Sequence, residues 1–205
     1  ATMVGILVGS KRLSEKVQLF PDLSGLPVVQ WLSLFVIIFG SSFLGSIVDG
    51  GISTATNQVL DPGMVPGDPD WYAKLVKPSW NPPGWVFPIM WLIVSKPTQL
   101  IAVSKILKKA AAVASDTDAV TKLPISVLAL YCAHLSLGDA WNKVFFGLQC
   151  TGRAAAVVTA FFGLLLTSAY VFYTIDPSAG LFMLPTCGWV LVASALNWNI
   201  YLNNK

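Results

Sequence analysis

The chain of 205 residues is 55% hydrophobic and only 11% charged, with a mean hydropathy of +0.67. Soluble domains carry about 25% charged residues, so a surface that mostly faces water is excluded and the membrane class follows. A net charge of +3, spread along the chain without a dense basic run, excludes a nucleic-acid footprint.

Residues 1–25 are mixed in polarity and too poor in apolar content to span a bilayer. They are expected to form an N-terminal extension outside the membrane, and a start at Ala1 suits removal of a targeting segment, as in an organelle protein. A spanning helix needs about 20 mostly apolar residues. The first candidate, 26–48 ("LPVVQWLSLFVIIFGSSFLGSIV"), carries no charge. A long loop follows, 49–79, whose "DPGMVPGDPD" favours turns over regular structure. The second candidate, about 83–107, begins inside "KPSWNPPGWVFPIMW" and contains Lys96 and Pro97.

A polar connector with four lysines, "KILKKAAAVASDTDAVTK", leads to the third candidate, 124–147, apolar at first and polar around Asp139, Asn142 and Lys143. The fourth, 154–175, is uninterrupted, and the fifth, 179–203, has Pro185 near its start. Short turns join the last three, which makes them antiparallel neighbours. The expected fold is an all-α integral membrane protein, a bundle of five transmembrane helices over residues 26–205. The lysine and arginine bias between the two sides is slight and favours an inside N-terminus. The three cysteines, Cys132, Cys150 and Cys187, lack paired or metal-type spacing and read as buried thiols.

Tyr131, His134, Gly138, Trp141 and Phe145 follow spacings of three and four and share a face of the third helix. His134 is the only histidine, and ionisable groups inside a span usually face the bundle interior. Its imidazole either bonds a neighbouring helix, bonds a ligand, or serves as an axial ligand to a tetrapyrrole metal. Asp139 could pair with Lys143 at i+4. Lys96 could snorkel, pair with Asp139 or Asp49, or line a polar cavity. Its neighbours Ser95, Thr98 and Gln99 make a polar patch that lipid would penalise, so a buried or protein-contacting face is expected there. On the fifth helix Trp189 and Asn197 lie on nearly one face, where a buried asparagine can join helices. Trp198, Tyr201 and the closing asparagines suit the membrane–water boundary.

The stretch "WYAKLVKPSWNPPGWVFPIMW" resembles the signature of the TspO/MBR family, roughly W-Y-x-x-L-x-K-P-x-x-x-P-P-x-W-V-F-x-x-x-W. Trp71, Tyr72, Leu75, Lys77, Pro78, Pro82, Pro83, Trp85, Val86, Phe87 and Trp91 carry the match. "LYCAHLSLGDAWNKVFFG" and "LPTCGWVLVASALNWNIYLN" are similar to the family's third- and fifth-helix segments, so the resemblance covers about 27–204. It implies a five-helix bundle, often a homodimer, with a pocket near the first loop for porphyrins, haem, sterols or drug-like ligands. By position that pocket would use Trp80, Trp85, Phe87, Trp91, Trp141, Phe145, Phe146, Trp189 and Asn197. This chain departs from the pattern where His134 replaces glutamine, Gly138 asparagine, Asn142 serine and Thr186 tyrosine.

Three functions fit these residues. The first is a membrane protein that binds a tetrapyrrole or sterol-like ligand in transport or sensing, since an apolar pocket with few polar groups suits such ligands. The second is a structural or pigment-binding subunit of a larger, photosynthetic complex, with His134 and Asn142 toward chlorophyll magnesium, carotenoid as a further pigment, and Lys96 as a protein contact. The third is a porphyrin-degrading enzyme, for which no acid–base or redox-metal constellation is visible. Expected partners are the lipid bilayer, a hydrophobic ligand, and a second copy or neighbouring subunits. The expected location is an organelle membrane, thylakoid or mitochondrial.

Overall fold

The computed structural model describes residues 32–38, 40, 70–114 and 125–205, the side chains of 111–114 and 125 excepted. The N-terminal extension, most of the 26–48 span, Asp49 and most of the first loop, and the 115–124 connector lie outside these residues. Among the described residues the regular structure is entirely helical.

A first helix, α1, covers 32–38. It buries Leu34, Ile37 and Ile38, at the spacing of one helix face, and leaves Leu32, Phe35 and Val36 exposed. A four-residue helix, α2, follows at Trp71–Lys74. Next comes a rod of three pieces, here α3: α-helical at Val86–Pro88, π-helical over Ile89–Ser95, and α-helical again over Lys96–Ala114. The π stretch lies between Pro88 and Pro97, each of which lacks a backbone donor. The widened turn lets the chain re-pair around them, as where the Lys96 N–H reaches the Trp91 carbonyl. Thus the prolines inside the apolar run bend its hydrogen-bond ladder without ending it.

Helix α4, Ile125–Asn142, runs into a second π segment, Lys143–Gly147. The segment closes with Leu148 N–H on the Lys143 carbonyl (2.9 Å) and Gln149 at a φ of 55°. Helices α5, Thr151–Ile175, and α6, Pro177–Asn203, form the most extensive pair among the described residues. Asp176 makes their turn by capping α6, accepting from the Ser178 N–H (2.9 Å), the Ala179 N–H (3.1 Å) and the Ser178 hydroxyl (2.6 Å). Pro177 then sits at the first helical position, where its missing N–H costs nothing.

The hairpin passes very closely at that turn. A Cβ on Gly180 would lie 2.4 Å from the Tyr173 Cβ and 2.6 Å from its Cα, so only glycine fits.

Val86–Ala110, Thr151–Ile175 and Pro177–Asn203 are each long and apolar enough to cross a membrane. Helix α4 does not join them by composition, because His134, Asp139 and Asn142 dilute its apolar run. Large apolar side chains on the outer faces, such as Ile93, Leu166, Tyr170 and Leu191, remain exposed and suit contact with lipid. Hydroxyls within the spans bond back to their own helix, as Thr159 does to the Ala155 carbonyl and Ser194 to the Val190 carbonyl. The three cysteines are free, with Cys132 and Cys187 buried. Cys150, expected buried, is instead partly exposed at the turn before α5.

Candidate functional site

Helices α3, α4 and α6 together build two neighbouring features: an aromatic cavity near the signature loop and a polar cluster deeper in the bundle. The cavity is lined by Tyr72, Phe87, Trp141, Phe145, Phe146, Ala193, Leu196, Asn197 and Ile200. Its volume of about 20 Å³ has room for about one water molecule. The second π segment brings consecutive rings into this wall: Phe145 and Phe146 meet edge to face at 4.8 Å, and Phe145 stacks on Trp141 at 5.6 Å. The Trp141 indole N–H donates to Asn197 Oδ1 (2.7 Å), and Asn197 Nδ2 donates to the Thr151 carbonyl (3.2 Å). One carboxamide thereby ties α4, α5 and α6 together beside the cavity. Trp189 stands next to it, edge-on to Phe87 at 5.4 Å and to Trp91 at 6.3 Å, with its buried indole N–H lacking a partner among the described residues.

Helix α2 roofs the cavity. Trp71 packs edge-on to Phe145 at 5.3 Å, and Tyr72 contacts both phenylalanines at about 6 Å. The Tyr72 hydroxyl donates to Asn81 Oδ1 (3.2 Å), and burial pushes its pKa up to about 12. Lys77 caps the end of α2, donating to the carbonyls of Tyr72 (2.5 Å), Leu75 (2.9 Å) and Ala73 (3.1 Å). Its ammonium also lies 4.8 Å from the Tyr72 ring centre. Partial desolvation draws the Lys77 pKa below its ordinary value. The signature lysine is therefore explained by helix capping.

The polar cluster is organised around Gln99. Its Oε1 accepts from the Tyr131 hydroxyl (3.0 Å) and lies 3.3 Å from His134 Nε2, while its Nε2 donates to Thr186 Oγ1 (3.3 Å). The Thr186 hydroxyl in turn reaches the Ser95 carbonyl (3.5 Å). Ser95, Tyr131, His134 and Thr186 are all completely buried. The His134 ring stacks on Phe161 (6.1 Å, 4°) and meets Tyr131 edge-on at 4.7 Å. Among the described residues its Nδ1 and the Ser95 Oγ have no hydrogen-bond partner. Gly138 gives the Phe161 ring its place, since a Cβ there would come within 3.3 Å of it.

Lys96 points elsewhere. Its ammonium donates to the Ile38 carbonyl, fastening α3 to α1, with the Asp139 carboxylate near enough to act on its charge. Lys96 is thus a contact between helices of this chain.

Of the residues singled out from sequence, Phe87, Trp141, Phe145, Phe146 and Asn197 meet around one cavity, with Trp91 and Trp189 in the adjoining aromatic group. Tyr131 and His134 belong to the polar cluster and are absent from the cavity wall. Trp80 and Trp85 are 48% and 66% exposed, so they sit at the boundary outside the wall. Asn142, the last residue of α4, is exposed and joins neither feature. The His134 imidazole is completely buried, with the Phe161 and Tyr131 rings and Gln99 against it. Among the described residues no group of three or more histidine, cysteine or acidic side chains is placed to hold a metal ion. Sequence reasoning missed Tyr72 as a wall residue and Gln99 as a hub. The four-residue step from Ser95 to Gln99 was the available signal for the hub.

The fold and the cavity define an integral membrane protein with an aromatic chamber under a short loop helix. A family description, TspO/MBR family, matches residues 33–202, and the chain belongs to that family. It is 30% identical over 156 residues to the tryptophan-rich sensory protein of Cereibacter sphaeroides, covering 76% of this chain and 87% of the relative. It is 29% identical over 150 residues to protein CrtK of Rhodobacter capsulatus, covering 73% and 84%. Similarity to the translocator protein of Sus scrofa is 27% over 156 residues, covering 76% and 84%.

Proposed function

We propose that this protein binds a flat hydrophobic ligand of tetrapyrrole or sterol type, in transport or sensing, at the cavity beneath Tyr72. The observation that carries this reading is the convergence of Phe87, Trp141, Phe145 and Phe146 with a single carboxamide, Asn197, around one space. Flat aromatic faces supply area for stacking, and few polar groups set orientation. The described wall residues supply aromatic faces and one carboxamide, which suits a binding protein. The relatives named for sensing and translocation support the same class. The proposal includes a five-helix bundle completed by the 26–48 span and by α4, acting as a homodimer or beside neighbouring subunits in an organelle membrane.

Titration with protoporphyrin IX and with a sterol in lipid nanodiscs tests this reading. Saturable binding of either, weakened at least tenfold by Trp141→Leu, supports it. Saturable binding of neither contradicts it.

A second reading, a structural or pigment-binding subunit of a larger membrane complex, is favoured by the small size of the cavity, about 20 Å³. Native absorbance of the purified chain separates the two. Retained chlorophyll or carotenoid supports the subunit, whereas a colourless chain that takes up added porphyrin supports the receptor.

A further inference from the structure

The roof of the cavity is joined to the far end of the chain by one side chain. Asn204, just after α6, accepts from the Val76 N–H (2.9 Å) through Oδ1 and donates to the Val76 carbonyl (2.9 Å) through Nδ2. The carboxamide thus pairs with Val76 as a neighbouring backbone strand would, across 128 positions of sequence. The same Nδ2 also donates to the Ile200 carbonyl (2.7 Å), and Ile200 is part of the cavity wall. The hold at this point is not apolar, because the Val76 side chain is 58% exposed. Such hydrogen bonds, open to water, exchange readily for solvent.

The segment they hold runs directly into the roof. Lys77 gathers the carbonyls of Tyr72, Ala73 and Leu75, so α2 and Val76 form one capped unit with Tyr72 over the cavity. The space beneath that unit is about 20 Å³, room for about one water, and is only partly enclosed.

We propose that Asn204 is a latch: its paired hydrogen bonds to Val76 hold the α2 roof down over the partly enclosed cavity, and their release lets the Trp71–Lys77 unit lift and widens the cavity toward the membrane–water interface. This concerns the same cavity as the proposed function, but its test requires no ligand.

The full chain in nanodiscs is compared with its Asn204→Ala variant by amide hydrogen exchange and by thiol labelling. For labelling, the wall residue Leu196 is changed to cysteine in a Cys150→Ser background. Asn204→Ala is expected to speed exchange at Val76 and Lys77, and maleimide labelling at position 196, by about tenfold. Protection of α5 and α6 should stay unchanged. Asn204→Asp keeps the acceptor for the Val76 N–H and should retain most of the protection there. Unchanged exchange and labelling in Asn204→Ala overturn the latch. So does an increase spread through α6, which would make Asn204 a helix-end support. Failure of protoporphyrin IX to bind the parent chain would count against the ligand reading alone, while faster labelling at 196 would still establish the latch.

Discussion

The aromatic cavity and the polar cluster are lined by the same three long helices, yet they solve opposite problems. Around Gln99 the side chains spend their hydrogen bonds on one another, and rings close over the rest: Tyr131 and His134 on Gln99 Oε1, Thr186 on its Nε2, Phe161 across His134. Around Trp141 the indole N–H donates to Asn197, and a space remains between the rings. A polar residue inside a span draws notice as a functional candidate, but here most of that polarity is internal joinery. Open space is left where the aromatic rings meet and the hydrogen bonds are few.

Substitutions can break that contrast in a graded way. The largest effect is expected for Gln99→Leu, which strands the Tyr131 hydroxyl, His134 Nε2 and the Thr186 hydroxyl together. A loss of about 3 kcal/mol in detergent-monitored unfolding is expected, with ligand affinity reduced only through that instability. If Gln99→Leu leaves stability unchanged, the cluster is not what joins α3, α4 and α6. Trp141→Phe should cost about 2 kcal/mol, because it leaves Asn197 Oδ1 buried without its 2.7 Å donor. It should also weaken porphyrin binding several-fold, a readout that Gln99→Leu tests from the other region.

Gly138→Ala should cost about 1 kcal/mol, because its Cβ would lie 3.3 Å from the Phe161 ring stacked on His134. Binding at the cavity should be unaffected. Measured affinity would expose any coupling between the two regions.

The last effect concerns the roof and shows only at alkaline pH. Burial raises the Tyr72 pKa from 10.0 to about 12, so the folded state keeps its phenol proton after the unfolded chain has lost it. The resulting stability is complete below pH 10 and lost as pH rises toward 12. Tyr72→Phe should remove that part of the alkaline decline, as followed by exchange at Val76. An identical decline in the variant would place its origin in another group.

Much of the helical layout was legible because apolar runs of spanning length have few alternative explanations. The signature was legible too, since its tryptophans and prolines are uncommon residues at fixed spacing. The internal geometry was less so. Pro88 and Pro97 read as interruptions, but a π-helical stretch absorbs both, and such a change of ladder depends on tertiary support. Gln99 read as one member of a polar patch around Lys96, yet the two residues turn apart, Gln99 inward to Tyr131 and Lys96 toward the Ile38 carbonyl. Asn142 shared a segment with His134 but is exposed, and helical spacing could not have shown this, because eleven residues from buried Tyr131 is about three turns and keeps the two nearly in line. Tyr72 was visible as a signature residue, while its place over the cavity required Phe145 and Phe146 to be brought beneath it by the second π segment.

The most direct test sets the two regions against each other with one ligand. Protoporphyrin IX is titrated into nanodiscs holding the parent chain, Trp141→Leu and His134→Ala, with the shift of its Soret band as the readout. Trp141→Leu should lose at least tenfold in affinity, and His134→Ala should stay within about threefold of the parent. Binding abolished by His134→Ala and unaffected by Trp141→Leu would contradict the placement of the ligand in the aromatic cavity.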